Sequence, residues 1–158
     1  MKLFCDALAS GKYLPNRFGG KNSPGGQNIS PPFSWTDIPA GAKSFALTIV
    51  DTNPTAKGFV HWVLVNMSGN ARGLQEGASQ SLHKLPEGSV ELRNSFGVMG
   101  YGGPNLQRSA GMHELLVTLY ALNQPELQLG PISPLTQFQI EIKGKVLATT
   151  TMVMSFGQ

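Results

Sequence analysis

Short runs of β-branched, aromatic and aliphatic residues, interrupted by Gly and Pro, make up most of this chain. The clearest runs cover residues 45–50, 59–66, 115–122 and 146–153, and they read as strands because such side chains suit a pleated, half-buried surface. The third run is almost unbroken in apolar residues, which predicts a central strand covered on both faces. Strict alternation along 59–66 would set His61 on one face with Phe59, Val63 and Val65, and Trp62 on the other with Val60 and Leu64. One helix is legible. Ser133 suits its N-cap, Pro134 its first position and Gly144 its end, while Leu135, Phe138, Gln139 and Ile142 share a face that would pack on the sheet. Residues 11–35 and 67–112 are rich in Gly, Pro, Asn and Ser and predict irregular structure, broken by short edge strands such as 89–93. The pattern is that of a mainly β fold with long loops.

With 158 residues, no repeat and no linker, the chain is expected to form one domain, 1–158. That length can bury about two thirds of the unfolded surface around a single core. Cys5 is the one cysteine, so no intrachain disulfide can form, and it reads as a small buried hydrophobe and not as a catalytic thiol. The stretch from Met1 meets a charge at Asp6 before an apolar segment of secretory length develops, and no later run reaches membrane-spanning length. The expected location is the cytoplasm, with no integral membrane association. Net charge is +3, but only 13% of residues are charged, and the basic ones are scattered from Lys2 to Lys145. A nucleic-acid binder would gather them into a stripe, so no nucleic-acid partner is expected. The apolar, edge-prone strands permit a homodimer.

Candidate chemistry centres on one Asp and two of the three His. Strands 45–50 and 59–66 are joined by a loop that favours an antiparallel pair, which brings Asp51 and His61 to the same end. A carboxylate within hydrogen-bond reach would orient the His61 imidazole and raise its pKa, making a cationic donor toward an anion such as phosphate. The other readings are a His61 satisfied within the core and an Asp51 that caps its own loop through the amide of Asn53. The stretch Gly100-Tyr101-Gly102-Gly103-Pro104 lacks the Gly-Lys-Ser/Thr ending of a phosphate-binding P-loop and by itself reads as a tight turn. His113 follows it just before a buried strand, where its ring could project into a loop-lined cavity. His83 has no comparable setting and reads as a surface loop residue.

Several segments, in order, resemble the phosphatidylethanolamine-binding proteins (PEBP), in particular the bacterial branch often named Raf kinase inhibitor-like. They are Asn28-Ile29-Ser30-Pro31-Pro32-Phe33-Ser34-Trp35, Pro39 to Phe45, Asp51, His61-Trp62-Val63-Leu64-Val65-Asn66, Asn94-Ser95-Phe96-Gly97, the Gly100 to Pro104 stretch, and Ile142 to Ala148. The resemblance implies a PEBP-like fold of two antiparallel β-sheets with a short helix in the C-terminal half. It also implies a small cavity for phosphate, acetate, cacodylate or a phosphoethanolamine head group, lined by Asp51, His61 and His113 together with Pro54, Gly103, Pro104 and Asn105. Three departures from the family pattern touch that cavity. The usual Asp-Pro-Asp-x-Pro reads Asp51-Thr52-Asn53-Pro54, one residue shorter; Leu106-Gln107 stands in place of a Pro-Pro pair; and His-Arg-Tyr has become His113-Glu114-Leu115. The last removes a loop-anchoring cation and a phenol donor.

The leading functional reading is a non-catalytic, cofactor-free binding protein for a small anion or a phospholipid head group. Eukaryotic members inhibit kinases or proteases, so the resemblance extends to a regulatory role with a protein partner. The alternative is a small hydrolase with an Asp51–His61 dyad, for which the sequence supplies neither a Gly-x-Ser-x-Gly elbow nor a second carboxylate beside Asp51. A two-His, one-carboxylate metal site of Asp51, His61 and His113 fits by ligand type, but the spacing matches no metal motif.

Overall fold

A computed structural model describes residues 1–79, 81, 83–106 and 110–157. Among them the strands are β1 (Lys2–Phe4), β2 (Phe33–Thr36), β3 (Ser44–Asp51), β4 (Val60–Ser68), β5 (Gly73–Leu74), β6 (Val90–Glu91), β7 (His113–Leu122) and β8 (Val146–Phe156), with one α-helix, α1 (Leu135–Glu141). All strand pairings are antiparallel. They form a three-stranded sheet, β1-β2-β5, and a five-stranded sheet, β6-β4-β3-β7-β8. The fold is therefore mainly β with two antiparallel sheets and one short helix, as the family resemblance implies.

Alternation explains the layering. Phe45, Leu47 and Ile49 of β3 and Leu115, Val117, Leu119 and Ala121 of β7 turn toward the small sheet, where Phe33, Trp35 and Leu74 complete one core. Trp35 and Phe45 meet across it with ring centroids 5.5 Å apart, and each such buried side chain contributes about 1.5–3 kcal/mol. On the opposite face Ala46, Val63, Val65, Leu122, Leu127 and Phe138 form a second, smaller core. The helix reaches the sheet there through Phe138, whose ring lies 5.4 Å from that of Tyr120.

Four expectations need correction. Strand β2 lies inside a segment expected to be irregular; its four residues alternate buried and exposed, too short a run to stand out beside the Pro pair that precedes it. Strand β7 is fully buried on one face only, since Leu116, Thr118 and Tyr120 on the other are half-buried. Ser133 does not cap the helix: its hydroxyl accepts from the Gly130 amide, Pro134 occupies the N-cap, and Gln139 is exposed. Gly144 does end the helical turn, in the left-handed region at φ +73°.

The fourth concerns β4. Its register against β3 shifts between Ile49, which pairs with Trp62, and Val50, which pairs with Val60, so His61 is the extra residue of a β-bulge. Val60 consequently packs with Val63 and Val65 on the helix side, while Trp62 and Leu64 face the small sheet. Alternation alone would have sent Val60 with Trp62.

Candidate functional site

The ends of three adjacent strands meet at one corner of the large sheet. Strand β3 ends at Asp51, β7 begins at His113, and β4 begins beside its bulge at His61. All three side chains are buried, at 3%, 6% and 3% exposure respectively. They share the wall of a small cavity of about 210 Å³.

The hydrogen bonds differ from the sequence expectation. The Asp51 carboxylate does not reach His61 as its partner. Asp51 Oδ2 accepts from His113 Nδ1 at 2.6 Å, and Oδ1 accepts from the Asn53 amide at 2.8 Å. The loop-capping reading of Asp51 thus holds, with the second oxygen left to orient an imidazole. His61 Nδ1 instead donates to the Gly102 carbonyl at 2.7 Å. A carbonyl can only accept, so that bond fixes the proton on Nδ1, and Nε2 of the neutral ring is a lone pair. His61 Nε2 is buried without a partner. Its pKa moves down, not up: burial disfavours the charged ring, and this outweighs the supporting Gly102 carbonyl and the more distant charge of Asp51.

The rest of the wall is largely apolar. Phe59 lies 5.1 Å from the His61 ring and 4.7 Å from Phe96, both between centroids, and Ala56, Pro104 and Leu106 close the remaining sides with Thr55 and Asn105. Five of the seven predicted binding residues therefore converge: Asp51, His61, His113, Pro104 and Asn105. Pro54 and Gly103 do not line this cavity. Pro54 starts the exposed 3-10 turn Pro54–Ala56, and Gly103 belongs to a neighbouring hollow. Phe59, Phe96, Thr55, Ala56 and Leu106 were not predicted for the wall, although Phe96 sits in a segment that carries the resemblance. Exposure of Phe96 at 42%, two residues from the buried Asn94, is a cue only the fold reveals.

The stretch Gly100 to Pro104 is no simple tight turn; it runs buried beneath the cavity. The Gly102 amide donates to the His61 carbonyl, which ties both edges of His61 to one residue. The Tyr101 hydroxyl donates to the Phe18 carbonyl at 2.7 Å, and complete burial raises its pKa, so it stays a neutral donor. A Cβ on Gly103 would lie 2.4 Å from the Phe18 carbonyl oxygen, so only glycine lets this chain segment approach so closely. The Gly103 amide donates to Asn28 Oδ1, which gives the first motif segment a bracing role.

The departures from the family pattern have visible substitutes. Asn53 caps the shortened loop by accepting from the Thr55 amide and hydroxyl, and its Nδ2 donates to the Met112 carbonyl. Thr52 donates through its amide and hydroxyl to the Glu114 carbonyl, anchoring the loop where an arginine is missing. Leu115 turns into the core. Gln107 lies outside the described residues. Among those described, no set of three His, Cys, Asp or Glu side chains is placed to hold a metal ion. His83 is exposed, as expected. No helix among the described residues is long and apolar enough to cross a membrane.

Comparison with known proteins adds four findings. The profile of the family described as phosphatidylethanolamine-binding protein matches residues 5–157. The UPF0098 protein YbhB of Escherichia coli is 34% identical over 160 residues, covering 98% of this chain and 100% of that protein. A Mycobacterium tuberculosis relative named as a lipoprotein, LppC, is 32% identical over 124 residues, covering 78% of this chain and 56% of its own. The crystal structure of Escherichia coli YbcL, described as a new member of the mammalian PEBP family, superposes with a TM-score of 0.89 at 26% identity, covering 99% of this chain and 98% of that one.

Proposed function

The chain belongs to the phosphatidylethanolamine-binding protein family, and from that premise we propose that it is a non-catalytic binding protein whose Asp51, His61 and His113 cavity takes a small anion, phosphate or a phosphoryl head group. The observation that carries this reading is His61 Nε2, buried in the cavity wall with no partner. An orphaned buried nitrogen costs free energy unless something outside the chain completes it.

The chemistry of that completion follows from the tautomer. His61 Nδ1 is committed to Gly102, so Nε2 and a phosphoryl oxygen must share one proton in the complex. That proton arrives on the ring, against the depressing effect of burial, or on the ligand as its monoanion. Binding of the dianion therefore takes up a proton, and affinity rises as pH falls from 8 toward 6. About three hydrogen bonds to a charged ligand, at roughly 1.5 kcal/mol each, give about 4 to 5 kcal/mol and a dissociation constant near the millimolar range. A regulatory role would draw further affinity from contacts outside the cavity.

Hydrolysis has less behind it. The close Asp-His pair is Asp51 with His113, not with His61, and the hydroxyl in the wall, Thr55, is committed to Asn53 Oδ1. A cytoplasmic location belongs to the same proposal and is tested by cell fractionation. Calorimetric titration of the full chain with inorganic phosphate and with phosphoethanolamine, in two buffers of different ionisation enthalpy, tests the central reading. We expect saturable binding with proton uptake, weakened about tenfold or more in His61→Ala. Equal binding by His61→Ala and the parent would overturn it.

A further inference from the structure

A second hollow, of about 200 Å³, adjoins the histidine cavity, and the two share Phe96 and Asn105 as a common wall. Its lining is different in kind: four Asn and one Lys, with no carboxylate. Missing side chains help keep it open. A Cβ on Gly20 would lie 2.1 Å from Asn105 Oδ1, and one on Gly102 would lie 2.5 Å from the Phe96 ring.

The amide orientations are fixed by the backbone. Asn28 Oδ1 accepts from the Gly103 amide at 2.7 Å, and Asn105 Oδ1 accepts from the Asn22 amide at 3.2 Å. Each side chain is thereby held with its oxygen inward to the chain, and the end left for a ligand is the NH2 donor. Asn94 is held likewise, its oxygen accepting from the amides of Phe96 and Val98 and its nitrogen donating to the Gly100 carbonyl. The exposed Lys21 adds an ammonium at the rim.

We propose that this hollow is a second acceptor-binding subsite, and that the ligand is a small soluble phosphoester carrying a carboxylate, its phosphoryl group at His61 and its carboxylate among Asn28, Asn105 and Lys21. The proposal rests on the phosphoryl reading of the first cavity. It separates two ligands of similar size. The carboxylate of phosphoglycolate meets oriented donors and a cation, whereas the ammonium of phosphoethanolamine meets groups of its own kind.

The test is a set of NMR titrations of the full-length, isotope-labelled protein with inorganic phosphate, phosphoglycolate and phosphoethanolamine, using Lys21→Ala and, as a charge-matched control, Lys143→Ala. We expect phosphoglycolate to bind about tenfold tighter than phosphoethanolamine, one charge-assisted contact's worth. It should shift the side-chain amide signals of Asn28 and Asn105, and inorganic phosphate should leave that of Asn28 in place. Lys21→Ala should lose most of the preference and keep its phosphate affinity, and Lys143→Ala should keep both. Phosphate binding with no preference between the two esters, or a preference lost equally in both variants, would overturn the subsite and leave the first reading intact. Absence of any His61-dependent phosphate binding would overturn both.

Discussion

Two bulges interrupt the same pair of strands, and they have opposite chemistry. Between Phe45 and Leu47 the register of β3 against β4 slips near Asn66, and between Ile49 and Val50 it slips at His61. Both bulges bury a polar side chain, at 5% and 3% exposure. Asn66, in the left-handed region at φ +60°, engages both ends of its amide with one residue: Nδ2 donates to the Leu127 carbonyl and Oδ1 accepts from the Leu127 amide. His61 spends only Nδ1, on Gly102, and leaves Nε2 unpaired in a cavity wall. The difference teaches how to tell structure from site in one sheet. Asn66, with both ends of its amide paired inside the chain, holds the fold, whereas His61 carries an unpaired nitrogen in the wall of a cavity, where a ligand can complete it.

The comparison breaks most plainly at its structural end. Asn66→Leu strands the amide and carbonyl of Leu127, so urea denaturation should show a loss of about 3 kcal/mol from two unsatisfied groups, with phosphate affinity unchanged. A loss below about 1 kcal/mol would mean that Asn66 is not the anchor described. Gly103→Ala comes next, because the added Cβ overlaps the backbone of 18–20. Overpacking of this kind costs about 1–3 kcal/mol and should weaken phosphate binding too, by displacing the wall that holds His61.

At the other end of the sheet the order of effects reverses. His61→Ala should lower phosphate affinity about tenfold or more while changing stability by about 1 kcal/mol, well below the Asn66 variant. The smallest effect sharpens the contrast through pH. Burial holds the His61 imidazole below its ordinary value of 6.5, so the unfolded chain binds more protons than the folded one in that window. Its contribution is complete above 6.5 and is lost as pH falls toward the folded value. The slope is at most about 1.4 kcal/mol per pH unit. Denaturation midpoints between pH 7 and 5 should show this slope in the parent and a flatter one in His61→Ala.

The long strands and the helix were legible because β-branched runs and a 3.6-residue period write themselves along the chain. Strands β1 and β2 were not, being three and four residues long without distinctive flanks. The residues of the candidate site were legible from the motifs, but their pairing was not. A bulge changes which face a residue occupies without any mark in the sequence, so His61 could not be matched to Gly102, and Asp51 meets His113 only because β7 pairs with β3, a neighbour the sequence does not announce. Most of the wall residues missed, among them Thr55, Phe96 and Leu106, sit in or beside loops, where no periodicity says which way a side chain turns.

The central claim is that the open nitrogen of His61 is where a ligand binds, and the imidazole 15N resonances of the labelled protein report it directly. With saturating inorganic phosphate at pH 7, the account predicts that Nε2 of His61 moves from the frequency of an unprotonated ring nitrogen toward that of a protonated or strongly hydrogen-bonded one, while Nδ1 keeps its Gly102 bond. A His61 Nε2 signal unmoved by phosphate, alongside binding detected elsewhere on the protein, would contradict it.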